Sequence, residues 1–223
     1  MRRRAYLGTL GAAVASASAG CLAGGSGGLP NTYLSEPDRE YDADALPYPV
    51  HGDELPATSL HAPLHDTTVD LADQDHAAFV TFVFSHCNTV CPVLTTALRN
   101  VQTAASRDGR RENVAFFEVT FDPERDTAAR LREYREQHDV APEDWYFLRP
   151  ADPEQAEDVV TDEFGVAFER THPEEMDMYM FAHTALVLLA NADGYVERAY
   201  QSKAPDWNRL YDDYRALEEA GGA

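Results

Sequence analysis

Lysine is almost absent from this chain. Of its 18 basic residues, 17 are arginine and one is Lys203, against 39 Asp and Glu, for a formal net charge of -21. That balance argues against nucleic-acid binding, because a polyanionic duplex would be repelled and no basic stripe offsets the acids. It is the composition expected of a protein from a halophile, where concentrated salt screens repulsion and hydrated carboxylates keep the surface soluble. Long apolar runs are missing as well. The stretch from Ala5 to Gly20 is short and rich in Ala, Gly and Ser, whereas a membrane-spanning helix needs about 20 predominantly apolar residues. Cysteine is limited to Cys21, Cys87 and Cys91.

What is present points to a folded domain. The chain has 11 Tyr and 10 Phe, which disordered acidic chains lack. Its 223 residues suit one domain with a leader. Arg2, Arg3 and Arg4 followed by small apolar residues have the layout of an export signal over residues 1–20. Arg3-Arg4-Ala5-Tyr6-Leu7 resembles the twin-arginine motif. Ser18-Ala19-Gly20-Cys21 resembles a lipobox, with Ser18 in place of the usual Leu, so Cys21 is expected to carry a lipid. The Gly- and Ser-rich, then acidic, residues 21–46 read as a flexible tether to a domain over 47–223.

Strand-like and helix-like patterns alternate through that domain. Segments 58–60 and 69–71 predict a small hairpin across His65-Asp66-Thr67-Thr68. The unbroken apolar run 77–84 reads as a central strand buried on both faces. A helix is expected over 91–106, a strand over 114–120, and a helix opened by Asp126-Thr127, with Asp126 as its cap, running to His138. Next come a strand at 145–148, a helix from Pro153 to about 164, an irregular stretch 171–181, strands 184–190 and 196–200, and a closing helix 205–217. The order describes an α/β chain with a mixed central sheet, helices on both faces and an N-terminal β-hairpin extension, as in a thioredoxin-like fold.

The chemistry centres on Cys87 and Cys91. They sit where strand turns to helix, with Pro92 fitted to the first helical turn. A spacing of four puts both sulfurs on one face, and the positive helix end favours thiolate. Two outcomes are open: a reversible disulfide, or two soft ligands for Cu(I) or zinc that need a third partner. His86 neighbours Cys87 but should point to the opposite face of the strand. His61 and His65 have helical spacing in a turn region, which reads as chance. His51, His76, His138 and His172 look like solvated loop residues. His183 stands just before a strand, at a position that lies beside the cysteine loop in a thioredoxin-like sheet. Neutral imidazole there would complete a three-coordinate Cu(I) site, or accept Cu(II) with an added weak ligand; a strand-end cap is the competing reading.

Three features together resemble the Sco/SenC family of copper-binding, thioredoxin-like proteins of cytochrome c oxidase assembly. They are Cys87-x-x-x-Cys91-Pro92 after an apolar strand, Thr120-Phe121-Asp122-Pro123-Glu124-Arg125-Asp126-Thr127 after the next, and Tyr179 with His183 before the final hairpin. Gly52-Asp53-Glu54-Leu55-Pro56 and Phe164-Gly165-Val166 are similar but less telling. The resemblance implies that Cys87, Cys91 and His183 bind copper. It implies delivery to the copper-A centre of cytochrome c oxidase subunit II or another cuproprotein, or reduction of that centre's cysteines, at the outer face of the membrane. Asn88-Thr89 replaces the Pro-Asp of many relatives, and Ala182 an acidic residue. Asp122 is a candidate to orient the cysteine loop or relay protons, and its turn sequence equally suits a helix start with Arg125 paired to a carboxylate. Met176, Met178 and Met180 approach His183, either to assist capture or to pack on the core. A thiol-disulfide oxidoreductase is the second reading. A peroxidase is the third, and it lacks an activating Arg or Lys beside the loop in sequence.

Overall fold

The computed structural model describes residues 29–38, 42–174 and 177–223. The expected export signal, Cys21 and Met176 lie outside them. The central sheet has five strands, in the order β5 (Trp145–Leu148), β4 (Val114–Thr120), β3 (Ala77–Val83), β8 (Val187–Ala190) and β9 (Val196–Tyr200). Strands β3 (Ala77–Val83) and β4 (Val114–Thr120) are buried along their whole length, which is why both read as apolar runs. They pair in parallel, and β4 pairs in parallel with β5 (Trp145–Leu148). On the other side, β8 (Val187–Ala190) runs antiparallel to β3, and β9 (Val196–Tyr200) antiparallel to β8. A separate hairpin, β1 (Ser59–Ala62) with β2 (Thr67–Asp70), is the expected extension with boundaries shifted by one or two residues.

Alternation along the strands splits the core into two layers. Phe79, Phe116 and Phe147 face α1 (Cys91–Arg107), α2 (Ala128–Gln137) and, after the final strand, a C-terminal helix over Trp207–Glu219. Val80, Phe82, Phe117 and Val119 pack with Leu60 and Ala62 of the hairpin and with Val159 and Val160, which follow α3 (Pro153–Glu157). Each large side chain buried this way contributes about 1.5–3 kcal/mol. The last helix, α4 (Trp207–Glu219), closes its layer with Leu210, Tyr214 and Leu217. This is the mixed, doubly covered α/β sheet expected of a thioredoxin-like fold.

Several local expectations are corrected. Thr127, not Asp126, caps α2 by accepting the Arg130 amide. Asp126 is taken by a stronger demand: fully buried, it accepts from the Ser85 amide and hydroxyl and from the Thr120 hydroxyl. The helix begun at Pro153 passes into a π turn over Asp158–Glu163. It stops at Gly165, whose φ of +65° and contact with the Pro47 carbonyl leave no room for a Cβ. The irregular stretch is in part a two-stranded ribbon, β6 (Phe168–Thr171) with β7 (Met180–His183). The strand expected from Thr184 begins only at Val187.

His51 is buried rather than solvated, its Nε2–H donating to the Leu34 carbonyl at 2.9 Å. Within the segment expected to be a tether, Tyr33 and Leu34 are docked on the domain. Leu34 is buried, and the Tyr33 and Leu34 amides both donate to Glu197, at 2.8 and 3.0 Å. Glu197 also accepts from Asn191 Nδ2, so this buried carboxylate is well satisfied. The acidic excess remains elsewhere on the chain. Screening shrinks the reach of each charge from about 10 Å at 0.1 M salt to about 3 Å at 1 M. Thermal unfolding midpoints are therefore expected to rise between 0.1 and 2 M KCl; a flat or falling series contradicts the reading of the composition.

Candidate metal centre

The central strand ends at Val83, and the chain turns at Phe84, whose carbonyl accepts the Cys87 amide at 3.1 Å. Helix α1 starts at Cys91 with no side-chain cap on Val90. The Cys91 amide instead donates to Cys87 Sγ at 3.5 Å. The first sulfur thus takes the place of a capping oxygen, at the positive end of the helix. Cys87 is 8% exposed and Cys91 fully buried, and neither is joined in a disulfide.

This asymmetry separates their protonation. A hydrogen bond from the Cys91 thiol is the chief influence pulling Cys87 down, to about 3, with help from His183 when protonated and from Thr89, against the opposing effect of burial. Thr89 Oγ1 lies 3.5 Å from Cys87 Sγ, so one residue of the unusual Asn88-Thr89 pair supplies a donor to the sulfur. Burial, and then the neighbouring Cys87 sulfur, push the Cys91 thiol up. The pair is one thiolate beside one thiol.

The third member arrives on the ribbon. His183 Nδ1 lies 3.1 Å from the Thr184 carbonyl, which can only accept, so Nδ1 carries the proton. In the neutral ring Nε2 then turns its lone pair toward Cys91 Sγ, 3.5 Å away. Phe84 and Phe121 pack on the imidazole. The ligand atoms of Cys87, Cys91 and His183 lie within 4.8 Å of one another. Bonds of about 2.0–2.3 Å to one ion fit such a spread after small adjustment, and two sulfurs with one imidazole suit Cu(I) or zinc.

The remaining candidates fall elsewhere. His61 Nδ1 pairs with the Thr67 carbonyl and His65 Nε2 with that of Trp145, so each ring is turned to its own main-chain acceptor. His86 turns to Ser85 and Asp126, and forms a second group with Asp122 and Asp126. Both carboxylates of that group are already engaged. Asp122 accepts from Arg125 Nε at 2.5 Å and from the Tyr179 hydroxyl at 2.8 Å, so its partners lie on the ribbon side rather than at the sulfurs. Met178 is exposed and Met180 packs against the core.

Two residues escaped sequence reasoning. Arg130, distant in sequence, donates to the Ser85 carbonyl and hydroxyl, which brings a guanidinium to within two residues of Cys87. Glu118 is fully buried on β4, and among the described residues neither carboxylate oxygen has a partner at hydrogen-bond distance; Thr95, beside it, is engaged with Tyr134 at 2.9 Å. Burial pushes its carboxyl up to about 8. A lone acid within an apolar strand was the available signal.

The SCO1/SenC family model matches residues 66–217, more than half of the chain. The chain belongs to that family. A curated relative, the SCO1 protein homolog of Bacillus subtilis, is 25% identical over 132 residues, which cover 59% of this chain and 64% of that relative's length. Among solved structures, copper-bound ScoI of Bradyrhizobium japonicum superposes with a TM-score of 0.59 at 22% identity, covering 74% of this chain and 98% of its own. A SCO1/SenC family lipoprotein of Bacillus anthracis gives 0.62 at 21%, covering 78% and 99%. At these identities the structural likeness supports the shared fold.

Proposed function

We propose that this SCO1/SenC protein is a copper metallochaperone. It holds one Cu(I) between Cys87, Cys91 and His183 and passes it by ligand exchange to the copper-A centre of cytochrome c oxidase. The observation that carries the reading is the His183 tautomer: with Nδ1 committed to Thr184, the basic nitrogen faces the thiols. A ring recruited only to finish a strand would have no reason to aim there. Copper in a structural neighbour supports the choice of metal. Lipid on Cys21 would keep the domain at the outer face of the membrane, a proposal supported by the lipoprotein neighbour. Among the described residues no helix is long and apolar enough to cross a membrane.

The test is Cu(I) competition against a chromophoric chelator with the full-length reduced protein. One equivalent should bind, and His183→Ala should weaken it by at least about 100-fold, more than the loss typical of removing a supporting group. Binding indifferent to His183 would remove the three-ligand site. A specific observation also favours a second reading. Cys87 at the mouth of the site, accepting the Cys91 amide at 3.5 Å with Cys91 fully buried behind it, is the arrangement of an attacking and a resolving cysteine. As a thiol-disulfide oxidoreductase the protein would keep most of its activity in His183→Ala.

A further inference from the structure

His183 is not placed by the main sheet. Among the described residues its strand, β7, pairs only with β6, in a ribbon of four residues on each side. Two-stranded ribbons are marginal alone, so something else must hold the imidazole at the cysteines. Part of the answer is aromatic: Phe121 packs on Phe168, Phe181 and His183. These contacts hold the ribbon down but leave it free to slide along an apolar surface.

Four residues before His183, Tyr179 is gripped at three points. Its hydroxyl donates to Asp122 Oδ1 at 2.8 Å, and its main-chain carbonyl accepts from Arg125 Nη1 at 2.9 Å. Its ring has the Arg125 guanidinium 3.6 Å from the centroid and that of Arg170 at 4.1 Å. Arg125 and Asp122 are themselves paired, and Arg170 on β6 reaches Glu124 at 2.7 Å. Every anchor except Arg170 belongs to the loop after β4, and Arg170 is tied to that loop through Glu124. Directional hydrogen bonds and stacked guanidinium groups oppose sliding in a way that apolar packing does not.

We propose that Tyr179, clamped by Asp122, Arg125 and Arg170, is the positioning residue that sets His183 against Cys87 and Cys91 before the metal arrives. This rests on the three-ligand copper reading. The clamp replaces the ordering that a free ribbon would have to undergo on binding, so its loss lowers affinity through His183 alone. The same logic assigns Asp122 to holding the ribbon rather than to proton transfer at sulfur.

Coupling between the two positions tests this. Cu(I) affinity is measured by chelator competition for full-length wild type, Tyr179→Ala, His183→Ala and the double variant, with thermal unfolding followed in parallel. Tyr179→Ala should weaken binding about 10-fold or more, the range for groups that orient a ligand. In the His183→Ala background the same change should do nothing. Tyr179→Phe keeps the ring and should recover most of the affinity. If Tyr179→Ala does not fold, Arg170→Gln, at an exposed position, takes its place in the cycle with a smaller loss and the same dependence on His183. Additive effects, or full affinity in Tyr179→Ala, overturn the proposal. If His183→Ala itself binds as wild type, the copper reading falls first, and that arm identifies the failure.

Discussion

Replacing Glu118 by Gln should make the domain more stable, and increasingly so as the pH rises. The wild-type carboxyl sits near 8 in the folded state because burial outweighs the help of the Thr95 hydroxyl beside it, against an ordinary value of 4.5. Below 4.5 both folded and unfolded chains hold the proton, and the group leaves stability unchanged. Between 4.5 and 8 the unfolded chain has lost it while the folded chain keeps it, so stability falls with rising pH, by about 1.4 kcal/mol per unit. Above 8 the full cost, of order 5 kcal/mol as a ceiling, is reached. Denaturant unfolding of wild type and Glu118→Gln from pH 5 to 9 should give curves that diverge toward alkaline pH. Glu118→Met, which also removes the unmet hydrogen bonds, should be at least as stable. Parallel curves would mean that the carboxylate is charged and satisfied in the native protein.

The cysteines should differ as sharply in reactivity. An ordinary thiol alkylates about tenfold faster for each pH unit below its pKa, roughly 1,000-fold between pH 5 and 8, because only the thiolate attacks. Cys87, already a thiolate at about 3, should react at a nearly constant rate across that range. Cys91, fully buried and held as the thiol, should stay unmodified while one equivalent of iodoacetamide is consumed. Mass spectrometry of the modified peptide checks the site, and quenched time courses check the profile. A rate that climbs with pH, or label divided between the two sulfurs, would show that the Cys91 thiol and Thr89 do not stabilise charge at Cys87. Copper added beforehand should protect Cys87 if both sulfurs hold the ion.

Legibility followed the kind of information each residue carries. β3 was readable because burial on both faces demands an apolar run, β4 because its apolar residues are interrupted only at Glu118, and α1 because Leu94, Leu98 and Val101 keep helical spacing. Cys87 and Cys91 were readable from local spacing. The ribbon was not: its residues are half-exposed and each strand has four, too few for alternation to stand out. Asp126 and Thr127 are equally good caps in isolation, and only the buried Ser85 and Thr120 donors decide between them. His51 and Glu118 show the same limit. A histidine in a loop and an acid in a strand look alike whether solvated or buried, until the neighbours from distant sequence are known.

The docking of Tyr33 and Leu34 on Glu197 gives the domain a handle and a working tip. Glu197 and Asn191 lie where β8 ends and β9 begins, beside the start of β3; the thiols follow the end of β3. Seven residues of strand separate the two ends, roughly 23 Å at 3.3 Å per residue. Any restraint on the chain before residue 29 is therefore transmitted to the blunt end, and Cys87, Cys91 and His183 swing at the far end of a stiff lever. A turn of the domain about that blunt end would sweep the three side chains through an arc whose radius is about the length of the central strand.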